Sequence, residues 1–134
     1  MRTLTKICIV DDDDIYRFTI EKTLESLKLP TKTMTFSDGE QAINFISDHL
    51  KEDAELPDII FLDIDMPVMD GFQFMEEYEK IKPNVSKDMI IYMVSSSLDP
   101  VDIDSAKKIS SISDYIVKPI SSNRLKSILE TPNN

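Results

Sequence analysis

Four apolar residues in a row, Ile59 to Leu62, run directly into Asp63 and then into IDMPVMDG, which holds Pro67 and Gly71. So short an apolar run, bounded by turn residues, fits a strand covered on both faces. Strands covered on both faces belong to parallel sheets with helices above and below. Asp63 is then placed at the carboxyl end of a central strand, where Pro67 and Gly71 mark a turn into a helix. For one isolated Asp, capping a turn is the commoner explanation, so the other strand ends have to decide its role.

The rest of the chain alternates in type. Lys6 to Val10 is a short apolar strand followed by four acids, Asp11 to Asp14. Ile20, Leu24 and Leu27 recur at helical spacing and Pro30 closes that helix. Thr31 to Phe36 alternates Thr33 and Thr35 with Met34 and Phe36, as a half-exposed edge strand does. Ser37 and Glu40 have the spacing of a capping box, and the helix they open carries Ala42, Ile46 and Leu50 on one face. Asp70 caps a third helix bearing Phe74, Tyr78 and Ile81. Lys82 to Lys87 is a loop. Ile90 to Val94 is a second fully apolar strand, ending in Ser95, Ser96 and Ser97. Asp99 with Pro100 starts a fourth helix with Ala106 and Ile109 inward. Tyr115 to Val117 forms a last strand ending in Lys118 and Pro119, and Ser121 caps a final helix with Leu125, Ile128 and Leu129 before a frayed Thr-Pro-Asn-Asn tail. Five repeats of strand then helix imply right-handed crossovers and a doubly wound α/β sheet.

Composition narrows the function. At 134 residues with 41% hydrophobic content, one domain with one core is expected over residues 1–134, its core spanning about residues 4–130, with no output domain. No apolar run approaches the roughly 20 residues of a membrane span and no signal segment opens the chain, so no membrane partner and a cytoplasmic location are expected. Cys8 is the only cysteine and lies in an apolar run, so it reads as a small buried side chain. A net charge of −10 opposes approach to phosphate backbones and argues against nucleic acid.

In a doubly wound sheet a ligand site forms outside the carboxyl ends of the strands, where the strand order reverses. Those ends carry Asp11 and Asp12, then Asp63, Ser95 and Lys118. Two carboxylates about 4 Å apart repel by roughly 4 kcal/mol at an effective dielectric near 20, so three together need a cation. All-oxygen ligands with few carboxylates suit Mg²⁺, which keeps several waters and bridges to phosphoryl groups.

Val10 to Asp14 (VDDDD), Asp63 to Gly71 (DxDMPxMDG), the pair Val94–Ser95 and Tyr115 to Pro119 (YIVKP) together resemble the receiver domain of two-component response regulators, over nearly the whole chain. The resemblance implies the flavodoxin-like (βα)5 fold with strand order 2-1-3-4-5. It implies that Asp63 accepts a phosphoryl group from a histidine kinase or a histidine phosphotransfer protein. Asp12 and Asp63 would bind Mg²⁺ directly, with the backbone carbonyl of Asp65 as a third ligand and Asp11 acting largely through water. Lys118 would contact a phosphoryl oxygen, Ser95 another after transfer, and Tyr115 matches the aromatic position that changes rotamer. Such a protein is not an enzyme on separate substrates. Its response would be phosphorylation-dependent binding of a downstream protein, onward relay, or self-association, through the face formed by the fourth helix, fifth strand and fifth helix. The sequence departs from the family where Ser95 replaces the commoner Thr, where Ser111 to Asp114 lacks a frequent glycine, and where Asp65 is acidic.

Two other classes share these residues. Asp63 and Asp65 after an apolar strand also resemble the nucleophile and acid-base pair of haloacid-dehalogenase-type phosphohydrolases, although that motif normally follows the first strand of a longer chain. An unphosphorylated interaction module on the same fold would be expected to lack Asp63 or Lys118. Duller roles suit the remaining candidates: Asp13 and Asp14 complement the first helix dipole, Met66 and Met69 pack the loop, the helix-spaced Phe and Tyr residues are mainly core, and His49 is a surface residue of the second helix.

Overall fold

The computed structural model describes residues 4–130; the tail expected to fray, 131–134, lies outside them. In chain order the elements are β1 (Thr5–Val10), α1 (Asp14–Ser26), β2 (Thr31–Phe36), α2 (Gly39–Asp48), β3 (Ile59–Leu62), α3 (Gly71–Ile81), β4 (Ile90–Ser95), α4 (Pro100–Lys107), β5 (Ile112–Val117) and α5 (Ser122–Glu130). One all-parallel sheet results, in the order β2-β1-β3-β4-β5.

Period-two alternation sends each central strand's side chains to two cores. Cys8 and Val10 of β1, Ile60 and Leu62 of β3, and Ile91 and Met93 of β4 meet Ala42, Ile43 and Ile46 of α2, Phe74, Met75 and Tyr78 of α3, and Ala106 of α4. On the opposite face Ile7, Ile9, Ile59, Phe61 and Val94 meet Ile20 and Leu24 of α1 and Leu125, Ile128 and Leu129 of α5. Cys8 is buried in the first of these cores, and burial pushes its thiol up, away from thiolate chemistry.

Three local expectations need correction. The cap of α2 is Asp38, whose carboxylate accepts from the Gln41 N–H at 2.9 Å, while Ser37 contacts the Gln41 side chain; the box is therefore not Ser37 with Glu40. Asp is as good a cap as Ser, so residue type could not separate adjacent candidates. Leu50 lies in the turn beyond α2, and His49 is the C-cap, half-buried and stacked on Phe45 with ring centroids 4.3 Å apart. Finally β5 begins at Ile112, and Ser113 is the extra residue where the β4–β5 register shifts from Ile91↔Ile112 to Tyr92↔Asp114. The other caps match: Asp70 with Gln73 makes a capping box on α3, Asp99 caps α4 ahead of Pro100, and the Ser121 hydroxyl accepts from the Arg124 N–H.

Candidate functional site

The chain leaves β1 toward β2 on one side and enters β3, β4 and β5 on the other, so the order reverses between β1 and β3. Asp11 and Asp63 flank that point. The ladder continues one residue past the strands: the Asp11 N–H donates to Phe36 (3.0 Å), that of Asp63 to Val10 (2.9 Å) and that of Lys118 to Ser95 (2.9 Å). Backbone pairing therefore fixes where each functional side chain leaves the sheet.

Asp11 and Asp63 are 2% and 6% exposed, whereas Asp12 stands in solvent, and one oxygen of each of the three lies within 4.8 Å of the others. Lys118 Nζ sits 2.6 Å from Asp11 Oδ2 and 3.5 Å from Asp63 Oδ1. One ammonium does not neutralise three carboxylates. Burial, then the Asp11 charge, push the Asp63 carboxyl up to about 6 against the opposing pull of Lys118. Burial also draws the Lys118 ammonium downward, but hydrogen bonding and attraction from Asp11 and Asp63 together outweigh it and its net shift is upward. An all-oxygen acidic set with surplus negative charge fits a hard divalent cation. Asp65 is exposed beside this cluster and shares with Asp12 and Asp70 an open cleft of about 460 Å³.

The loop from Asp63 to α3 is pinned at close quarters. The Gly71 N–H donates to the Ile64 carbonyl at 2.9 Å, and a Cβ at Gly71 would stand 2.3 Å from the Asp63 carbonyl oxygen. Only glycine lets the backbones approach so closely. Gly39 plays the same part from α2: its N–H donates to Met69 at 3.0 Å, and a Cβ there would fall 2.8 Å from the Met69 oxygen. Between them Val68 adopts φ 67°, a left-handed conformation that a β-branched residue rarely holds. Met66 is buried and Met69 packs against the same core, as expected of loop-packing methionines.

Ser95 is 1% exposed, and its Oγ accepts from the Ser97 N–H at 3.1 Å. The Tyr115 hydroxyl donates to the Ser97 carbonyl at 2.9 Å. The Ser97 hydroxyl in turn donates to Asp102 on α4 at 2.6 Å. Lys118 precedes Pro119 through a cis peptide.

Sequence reasoning missed Tyr16 and Ser97. Tyr16 lies under the Lys118 ammonium, 4.3 Å from its ring centroid, and burial followed by the Asp11 charge raises its hydroxyl strongly. Its helical spacing reads as core, and only the packing of α1 against α5, the helix that follows Lys118, brings it to the lysine. Phe18, off the apolar face of α1, is 60% exposed with Lys22 over its ring. Asp13 does more than complement a dipole: its carboxylate accepts from the Ile15 and Tyr16 amides as the cap of α1.

The family model for the response regulator receiver domain matches residues 7–130. The chain belongs to that family. Receiver domains are the phosphoacceptor modules of two-component signalling and interact with histidine kinases or phosphotransfer proteins. A probable transcriptional regulator, ycf27, of Guillardia theta is 32% identical over 126 residues, 94% of this chain and 44% of that protein. The chain thus spans less than half the length of that relative. A two-component response regulator from Cytophaga hutchinsonii superposes with TM-score 0.81 at 27% identity over 96% of each chain. The receiver domain of a sensor histidine kinase from Pseudomonas aeruginosa, with a magnesium ion coordinated in its active-site cleft, shares the fold at TM-score 0.75 and 23% identity, again over 96% of each chain.

Proposed function

We propose that Asp63 is the phosphoacceptor of this receiver, taking the phosphoryl group from a phosphohistidine on a histidine kinase or phosphotransfer protein. The observation that carries this reading is the placement of Lys118, whose ammonium lies between Asp11 and Asp63 at the point of strand reversal. In the transfer an Asp63 oxygen attacks phosphorus, the P–N bond to the imidazole breaks, and the charge on the phosphoryl oxygens spreads toward the lysine. Phosphoryl transfer is mostly positioning and charge neutralisation, and both are built into the crest of the sheet. Asp11, Asp12, Asp63 and the Asp65 carbonyl would hold Mg²⁺, which supplies the remaining positive charge when bound. Lys118 is aimed by its hydrogen bond to Asp11 and by the Tyr16 ring beneath it. Ser95 reads the product: its hydroxyl leaves the Ser97 N–H for a phosphoryl oxygen, and Tyr115, tied to the same Ser97, reorients.

In this reading residues 1–134 act as one receiver unit that is cytoplasmic, is not an enzyme on separate substrates, and binds neither nucleic acid nor membrane. Its state leaves through the α4–β5–α5 face, to a protein partner, by onward relay or by self-association. Support comes from the charge of −10 and from the absence, among the described residues, of a helix long and apolar enough to cross a membrane. The test is acetyl phosphate labelling with and without Mg²⁺, followed by peptide mapping. A base-labile label on Asp63 that requires the metal is expected, and a label on Asp11, Asp12 or Ser95 overturns the assignment. Asp12→Ala is expected to weaken Mg²⁺ binding more than Asp11→Ala.

A further inference from the structure

Away from the crest, α3 and α4 enclose a groove of about 400 Å³ whose apolar lining is Phe72, Met75 and Ile109 and whose acidic lining is Glu76, Glu79 and Asp102. Among the described residues no lysine or arginine forms an ion pair with these three acids: the neighbouring Lys80 is held by Glu77, and Lys82 donates to Ser111. An apolar lining flanked by unneutralised carboxylates is complementary to an apolar side chain flanked by cations. The overall charge of −10 repels a second copy of this chain, nucleic acid and anionic lipid alike.

Asp102 also connects this groove to the crest. Its carboxylate accepts from the Ser97 hydroxyl at 2.6 Å, the Ser97 N–H donates to Ser95 Oγ at 3.1 Å, and the Ser97 carbonyl accepts from Tyr115 at 2.9 Å. One residue therefore bonds to the phosphate reader, the aromatic switch and the groove wall. Drawing the Ser95 hydroxyl toward a phosphoryl group removes the acceptor that fixes the Ser97 backbone. The Ser97 hydroxyl then releases Asp102, and a carboxylate no longer engaged within the chain faces the groove.

We propose that the α3–α4 groove docks a basic, apolar segment of a partner protein, and that Ser97 couples this docking to phosphorylation by tightening it. The docking stands without the proposed function; the coupling rests on it. The experiment uses the full chain and a fluorescent synthetic peptide of alternating leucine and lysine, read by anisotropy and by amide chemical shifts, with the glutamate-for-lysine peptide as control. Shifts at Phe72, Met75 and Ile109 are expected. Glu76→Lys with Glu79→Lys should weaken binding at least about tenfold, while the matched reversal Glu52→Lys with Glu55→Lys, remote in sequence from the groove, should change it less than about twofold. Equal weakening by the two pairs, or shifts confined to other surfaces, overturns the docking. Adding Mg²⁺ and beryllium fluoride as phosphoryl mimic should raise affinity about fivefold or more. Ser97→Ala, which keeps the N–H but loses the hydroxyl that holds Asp102, should raise the starting affinity to about the level the mimic gives in the parent and abolish any further rise; a starting affinity equal to the parent's overturns the coupling. A mimic that moves the Ser95 amide without changing peptide affinity overturns the coupling alone. A mimic that leaves the Ser95 amide unmoved overturns the Asp63 assignment and the coupling together, while the docking still stands or falls on the charge reversals.

Discussion

The two halves of the crest are built differently. On the β1–β3 side the register is regular, every residue of β3 is buried, and the following loop is clamped by two glycines whose hydrogens meet carbonyl oxygens. On the β4–β5 side the ladder carries a bulge, α4 has eight residues of which only Ala106 is buried, and Leu98 and Val101 are exposed beside it. The links there are single hydrogen bonds through Ser97. Close-packed backbone holds reacting groups within tenths of an ångström, whereas a few polar contacts around a lightly buried helix can exchange at low cost. In the proposed function the rigid side would hold the reacting groups and the soft side would be free to report their state.

Breaking the rigid side should cost most. Gly71→Ala puts a methyl group against the Asp63 carbonyl, and the loop has to move; a loss of about 3 kcal/mol in urea unfolding is expected, together with impaired labelling. Unchanged stability would show that the clamp is not rigid.

The next effect runs in the opposite direction. Asp63 is held up to about 6 by burial and by Asp11, so the folded state takes up its proton more readily than the unfolded state. Above the folded value the buried charge lowers stability. As pH falls toward the ordinary carboxylate range that penalty disappears, because both states become protonated. Asp63→Asn should therefore raise the stability of the metal-free protein by about 1–2 kcal/mol at neutral pH and leave it nearly unchanged near pH about 4. Thermal melts across that range, with and without Mg²⁺, check this, and a gain that persists at the acid end would place the penalty elsewhere.

On the soft side, Asp99→Ala removes the cap of α4 and should cost about 1 kcal/mol. The comparison predicts that hydrogen exchange speeds up locally in α4 while β1 and β3 stay protected. Uniform acceleration would make the two halves one cooperative unit. The smallest effect should come from Val68→Gly. Val68 is 71% exposed at φ 67°, so little packing is lost, and relief of its backbone strain should stabilise the protein by about 0.5 kcal/mol in the same unfolding assay.

Most of the scaffold was legible in the residues. Unbroken apolar runs at β1, β3 and β4, helical spacing between them, and caps such as Asp70 and Asp99 are local signals that need no knowledge of the fold. Alternation of strand and helix then implied a parallel doubly wound sheet, and the acids, Ser95 and Lys118 at the strand ends marked one rim. Local signals failed where equivalent choices were adjacent, as with Ser37 against Asp38, or where a neighbouring strand added order to residues with no pattern of their own, as at Ile112 to Asp114.

What the sequence determined by itself is the set of groups and the side of the sheet on which they stand, because strand direction follows from the alternation and residue type from the chain. Only the tertiary structure decided which of those groups touch. Lys118 is 107 residues from the Asp11 it bonds, Tyr16 joins that lysine because α1 packs against α5, and the Gly71 contact on Asp63 depends on a loop folding back over the strand end. Such contacts are set by how helices seat on a twisted sheet, a balance of packing summed over both cores, and no residue carries that sum in its own neighbourhood.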